Sequence, residues 1–381
     1  MSRGNIPRLG SWLAKALGIA NKAGPSPSNA AEKFLSRLTT VVLLLACSLA
    51  KCLGQDAGRI QLQLNTDEAD AVLLILQKNT AHQSITDEDW KKLFATEPYV
   101  RLKEREASMK RAFTDDDFKA FVLSPELSAK ADALRQTLEA WKKTNLSASA
   151  ERVLTYLPAQ AKIRAKVFPV IKPKINSFVW DTQTDPAIFL YLDPQESAAK
   201  FENIVAHELH HIGFSSVENI SEAKFKDLPA QVKTALEWMG AFGEGFAMLA
   251  AAGSPDIHPH AFSSREERAR WDHDMANFNQ DLGTLQQFFL DVLNGKFKAP
   301  EDIQQKASEF YGIQGPWYTV GYKMAVIIER RYGRSELIDC MLDPRELLMK
   351  YNAAASELNA QNKADLAVWS PDLLHKITAT N

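Results

Sequence analysis

The sequence predicts an α+β fold that is predominantly helical, with a small sheet containing an antiparallel hairpin and an amphipathic helix running directly out of it. Two observations carry this expectation. Apolar residues recur at helical spacing before residue 160 and again after Asp193, while short runs of β-branched and aromatic residues stand between them. A chain of 381 residues is long enough for two compact domains, or for one large domain with a helical extension.

Residues 1–54 read as a signal or targeting segment. Six basic residues (Arg3, Arg8, Lys15, Lys22, Lys33, Arg37) face one acid, Glu32, before the thirteen-residue run Leu38 to Ala50. That run is shorter than the roughly 20 residues of a comfortable membrane span, but it fits the apolar core of a secretory signal. Small residues offer cleavage points, for instance after Gly54, and Leu44-Leu45-Ala46-Cys47 resembles a lipobox. The expectation is an exported protein, periplasmic or secreted, whose membrane contact is limited to a signal anchor or a lipid on Cys47.

Residues 55–160 read as an N-terminal helical region. Asn65-Thr66-Asp67-Glu68 opens the apolar run Ala71 to Leu76, and Thr86-Asp87-Glu88-Asp89 precedes Trp90, Leu93 and Phe94. Such polar openings are helix N-terminus signals. From Leu127 to Trp141 apolar residues repeat at helical spacing over a charged face.

Residues 161–381 form the remaining region. Val167 to Ile171, Ile175 to Asp181 and Ala187 to Leu192 read as strands, the last two joined by Thr182 to Pro186 as a hairpin. After Asp193 the pattern is helical to the end, interrupted by a loop rich in Gly, Pro and His at residues 253–260.

Composition narrows the partners. The chain is 45% hydrophobic and 24% charged with a net charge of -2, which gives no reason to expect nucleic acid. Three cysteines, Cys47, Cys52 and Cys340, are too few for a disulfide framework. Neither composition nor motif sets an oligomeric state.

Chemistry concentrates in His207-Glu208-Leu209-His210-His211, an HExxH motif. On a helix, positions i and i+4 lie about 40° apart around the axis, so His207 and His211 can aim at one ion while Glu208 points to the neighbouring side. Asp193-Pro194-Gln195-Glu196 is placed to cap this helix and Gly213 to stop it. His210 reads as a neighbour of the ligands or as solvent-facing. A catalytic zinc site takes three protein ligands and keeps a position for water, so a third ligand is required. Glu222, Glu237 and Glu244 are the carboxylates to weigh. Glu244 stands among small residues in Gly243-Glu244-Gly245-Phe246-Ala247, which let its helix approach another closely, and Glu237 is the fallback.

HELHH followed by GEGFA resembles the HExxH plus (N)EG(F/L)A pairing of the gluzincin metallopeptidases, such as the zinc aminopeptidases and thermolysin-like enzymes. The connection from His211 to Glu244 is longer than in those families, and no GxMEN-type exopeptidase motif is present. Gly315 to Ala325 also resembles an uncharacterised bacterial family described as zinc-dependent peptidases, over about Asp67 to Ala355. The resemblance implies a zincin-like core, Zn2+ on His207, His211 and Glu244, and a peptide or protein substrate cleaved by zinc-bound water with Glu208 as general base. Gluzincins often recruit a downstream phenol for the oxyanion, which points to Tyr318 or Tyr322, with His260 or His258 as imidazole alternatives. Ala187 to Tyr191 would be an open edge strand along the cleft, pairing with an extended substrate. Two rival functions stand beside this one: a zinc hydrolase of a non-peptide bond, and a non-catalytic envelope protein stabilised by zinc.

Overall fold

The computed structural model describes residues 58–378, with the side chains of Ser221 and Glu222 outside the description. Cys47, Cys52, the run Leu38 to Ala50 and the cleavage point near Gly54 therefore lie outside the described residues, and so does the carboxylate of Glu222. Among the described residues no helix is long and apolar enough to cross a membrane.

Ile60–Leu64 alternates apolar and glutamine residues and forms β1, a strand not expected from the helical pattern around it. It joins β2 (Ile163–Val170), β3 (Phe178–Trp180) and β4 (Ala187–Tyr191) in a four-stranded sheet of order β1-β2-β4-β3. β1 pairs in parallel with β2, with Ile60 opposite Ile163. β2 pairs in parallel with β4, with Lys166 opposite Ala187. The expected hairpin is present: β3 and β4 are antiparallel, with Phe178 opposite Phe189. Pro169 interrupts no ladder bond, because the odd residues of β2 turn their N–H groups toward β1, which has ended opposite Val167.

β4 is paired on both sides, which overturns the expectation that Ala187 to Tyr191 is an open edge. Ala187, Ile188, Phe189 and Leu190 are all buried, as a nearly continuous apolar run requires of an interior strand. The sheet edges belong to β1 and β3.

Among the described residues a small hydrophobic cluster of Leu102, Phe168, Val170, Ala187 and Phe189 accompanies two large cores. Helices from the first half of the chain pack with the sheet and with the motif helix Ala198–Ser215, through residues such as Val72, Leu76, Val153, Val167 and Val205. Trp141 stacks on Phe201 of that helix with ring centres 4.3 Å apart. The second core lies among the C-terminal helices, around Phe242, Phe289, Trp317, Tyr351 and Trp369. The described residues make one compact unit, so β1 and the helices that follow it share a sheet and a core with residues beyond 160.

The motif helix starts later and ends later than its sequence suggests. Its N-cap is Ser197, whose hydroxyl accepts from Lys200 N at 3.1 Å, whereas Asp193 accepts from Gln195 N in a preceding turn. Gly213 lies inside the helix because a Cβ there would stand 2.3 Å from Leu157 Cδ1. Close packing, not termination, explains that glycine.

Candidate metal centre

The motif helix buries Phe201, Val205, Ala206, Leu209 and Ile212, which fixes its rotation and leaves His207 and His211 half-buried on one face. Their Nε2 atoms are 3.1 Å apart. Glu244 Oε2 is 3.1 Å from each of them. These three side chains are the group among the described residues whose atoms can hold a metal ion. A triangle with 3.1 Å sides has a point about 2.0–2.1 Å from every corner, roughly 1 Å off its plane, which matches zinc–ligand distances and leaves one side open. The donor set is suited to zinc as well: two imidazole nitrogens and a carboxylate oxygen.

Glu244 reaches this point through a close helix crossing. Its helix, Gly243–Ala252, packs on Pro316–Tyr332, and a Cβ on Gly245 would lie 2.0 Å from Tyr322 N. The small residues around Glu244 thus serve contact with this third helix. Gly240 and Gly243 are not part of that contact, since a Cβ at either meets nothing within 4 Å. Burial raises the Glu244 pKa, but hydrogen bonding to His207 and His211 outweighs it and holds the carboxyl well below the ordinary range. Glu237, the fallback ligand, is exposed on Ala230–Met239 and stands outside the cluster.

The crossing also delivers Tyr318. Its ring stacks beside His207 with centres 6.2 Å apart, and burial together with the charges of Glu244 and Glu208 pushes its phenol pKa up. It is a hydrogen-bond donor at any physiological pH. Tyr318, His207, Glu208 and His260 line one cavity of about 350 Å³. Glu208 is half-buried and makes no hydrogen bond through its carboxylate to a described residue. His260 Nδ1 bonds Ser263 Oγ at 2.9 Å, its Nε2 is buried without a hydrogen bond of ordinary geometry, and burial takes its pKa down to about 4. The ring is therefore neutral at neutral pH.

Two candidates fall elsewhere. Tyr322 packs edge-on against Trp271 at 5.3 Å in the second core, and His258 pairs with Asp272 at 2.9 Å. His210 is buried, 1% exposed, which rules out the solvent-facing alternative; burial, with His211 and His207 nearby, keeps its pKa far below the usual imidazole value.

Sequence reasoning passed over two features. Lys200, one turn before Ile204, bonds Glu196 at 2.6 Å and Glu267 at 2.7 Å within the same cavity as Glu208. The i,i+4 spacing of Glu196 and Lys200 was a visible signal for half of this trio. Tyr311 stands near enough for the charge of Glu244 to raise its pKa, after burial. No local signal marks Tyr311, because only the tertiary fold brings it there.

An α+β chain that holds the two histidines of an HExxH helix and a glutamate from a second helix around one point has the architecture of a mononuclear zinc protein. Residues 90–360 match the model of a family described as "Putative zinc dependent peptidase (DUF5700)". The match spans well over half of the chain, and the protein belongs to this family, with zinc as its metal. No curated protein and no solved structure matches it.

Proposed function

We propose that the protein is a zinc-dependent hydrolase that cleaves peptide bonds, with the metal on His207, His211 and Glu244. The observation that carries this reading is the convergence of three donor atoms at 3.1 Å beside a cavity that Glu208 and Tyr318 line together. Bound zinc supplies a Lewis acid that polarises the substrate carbonyl and lowers the pKa of water.

The chain's own groups complete the chemistry. Glu208 accepts a proton from the attacking water as its oxygen bonds to the carbonyl carbon, then passes that proton to the amine nitrogen as the C–N bond breaks. Tyr318, kept protonated by burial and neighbouring carboxylates, donates to the oxygen on which charge develops. The His260 ring lines the same cavity, with its Nε2 buried and without a hydrogen bond of ordinary geometry, and is the second candidate donor to the substrate rather than a metal ligand.

The test combines metal analysis of purified protein with a peptide-library digest, with and without chelator. About one zinc per chain and chelator-sensitive cleavage are expected; zinc binding without any cleavage of peptides would move the reading to a non-peptide bond or to a stabilising metal. We propose export on the strength of the basic segment and the run Leu38 to Ala50. Mass spectrometry of the mature N-terminus should find cleavage near Gly54 or a lipid on Cys47, and an intact cytosolic Met1 would refute it.

A further inference from the structure

The metal donors border two cavities that differ in the charged residues lining them. His207 and Glu208 line the polar one, where Lys200, Glu196 and Glu267 also lie. His211 and Glu244 line a second, of about 250 Å³, whose other walls include Phe214, Met239, Phe246, Tyr311, Met341 and Leu347. Met239, Phe246 and Leu347 are buried, and apart from Glu244 and the two neutral-capable rings His210 and His211 no ionisable carboxylate or amine borders it. An apolar cavity of about 150 Å³ already takes benzene. Apart from the two metal donors themselves, the proposed chemistry uses nothing that lines this second cavity. Neighbouring residues of a peptide are about 3.8 Å apart at Cα, so a chain with its carbonyl at the donors has an adjacent side chain within reach of the cavity.

We propose that this cavity is the specificity pocket of the peptidase and takes a large apolar side chain, such as Phe, Leu or Met, from the residue next to the scissile bond. The proposal rests on the function proposed above. Burial of that side chain against Met239, Phe246 and Leu347 removes apolar surface from water, while the polar cavity receives the reacting water and the proton traffic. Two glycines on the lining offer positions at which to test the pocket. Gly240 and Gly243 both line it, both have ordinary right-handed backbone with φ of -56° and -52°, and a Cβ at either meets nothing within 4 Å. At either position the first atom of a longer side chain has open space, so a substitution there need not displace the core.

The experiment has two arms, each run on zinc-loaded full-length protein with zinc content measured. In the first, a peptide library is digested and cut sites are read by mass spectrometry; Phe, Leu and Met should dominate one position flanking the cut. Gly243→Leu, with Gly240→Leu as a second variant, should lower kcat/KM for those peptides relative to Ala-containing ones by about 10-fold or more while zinc is retained. The second arm needs no turnover: calorimetry compares phenylalanine hydroxamate with glycine hydroxamate. The wild type should bind the phenylalanine probe at least about 10-fold more tightly, and the ratio should approach one in Gly243→Leu. Equal affinities in zinc-loaded wild type, or an undiminished apolar preference in both leucine variants, overturn the pocket and leave the proposed function standing. A chain that binds no zinc overturns both.

Discussion

Gly245 and Gly321 face each other across a helix crossing so close that a Cβ built on Gly245 would stand 2.3 Å from the Gly321 carbonyl carbon. The contact is backbone on backbone, so no side-chain rotation can relieve an added methyl. Gly245→Ala should therefore destabilise the protein by at least the roughly 1–3 kcal/mol typical of overpacking, despite the better helix propensity of alanine. Gly243→Ala, where a Cβ meets nothing, should be neutral or gain up to about 1 kcal/mol. Thermal or urea unfolding of the pair checks this; equal stabilities would show that the two helices can separate at low cost.

Removal of a ligand should be visible without any assay of activity. Alanine at His207, His211 or Glu244 should abolish stoichiometric zinc measured by elemental analysis, whereas Glu237→Ala should leave it intact. Full occupancy in Glu244→Ala would contradict the convergence of the three donors.

Glu208→Gln keeps the shape of the side chain and removes the base. Zinc should be retained while kcat/KM falls by about 10²- to 10⁴-fold. Tyr318→Phe should retain zinc too and lose about 10²- to 10³-fold, chiefly in kcat, if the phenol acts on developing charge. An unchanged kcat in Tyr318→Phe would leave His260 Nε2 as the donor to test.

Glu68 gives a pH dependence remote from the metal. It is wholly buried, Oε2 accepts from Ile171 N at 2.9 Å and Oε1 has no partner. Burial pushes its pKa up to about 8, against the opposing effects of the Ile171 bond and Lys172. An unfolded glutamate titrates near 4.3, so between about 4.3 and 8 the native state holds a proton that the unfolded chain has lost, and stability falls as pH rises through that window. Glu68→Gln keeps an acceptor for Ile171 and cannot ionise. Its stability relative to wild type should increase from pH 4 to 8 by up to a few kcal/mol, read from urea midpoints; a difference independent of pH would mean that Glu68 ionises freely in the fold.

Much of the site was legible because its determinants are local. The i,i+4 histidines with Glu208 between them express the geometry of one helix, and the small residues around Glu244 mark a second. The hairpin of β3 and β4 was legible for the same reason. β1 was readable from the alternation Ile60, Leu62, Leu64 with Gln61 and Gln63, but strong helix signals on its C-terminal side obscured it. What sequence could not supply was partnership. Whether β4 is an edge depends on β2 arriving from beyond a loop, Gly213 is explained by Leu157 rather than by its neighbours, and which of Tyr318 and Tyr322 lies beside His207 follows from the rotation of Pro316–Tyr332 in the fold. The cap at Ser197 rather than Asp193 shows a competition between two good polar residues, which the preceding turn decides.

The three donors are rooted in different places: His207 and His211 on a helix of the first core, Glu244 on a helix whose Phe246 and Leu249 belong to the second. A cation shared among them is a rivet across a seam between two apolar masses, and its affinity for the folded chain adds to the resistance of that seam to opening. Zinc supply would then govern the lifetime of the molecule as well as its activity. In a metal-starved compartment the seam is where a protease should gain entry, so limited proteolysis in chelator should cut first within residues 216–242, the segment between the two donor helices, and zinc should protect it.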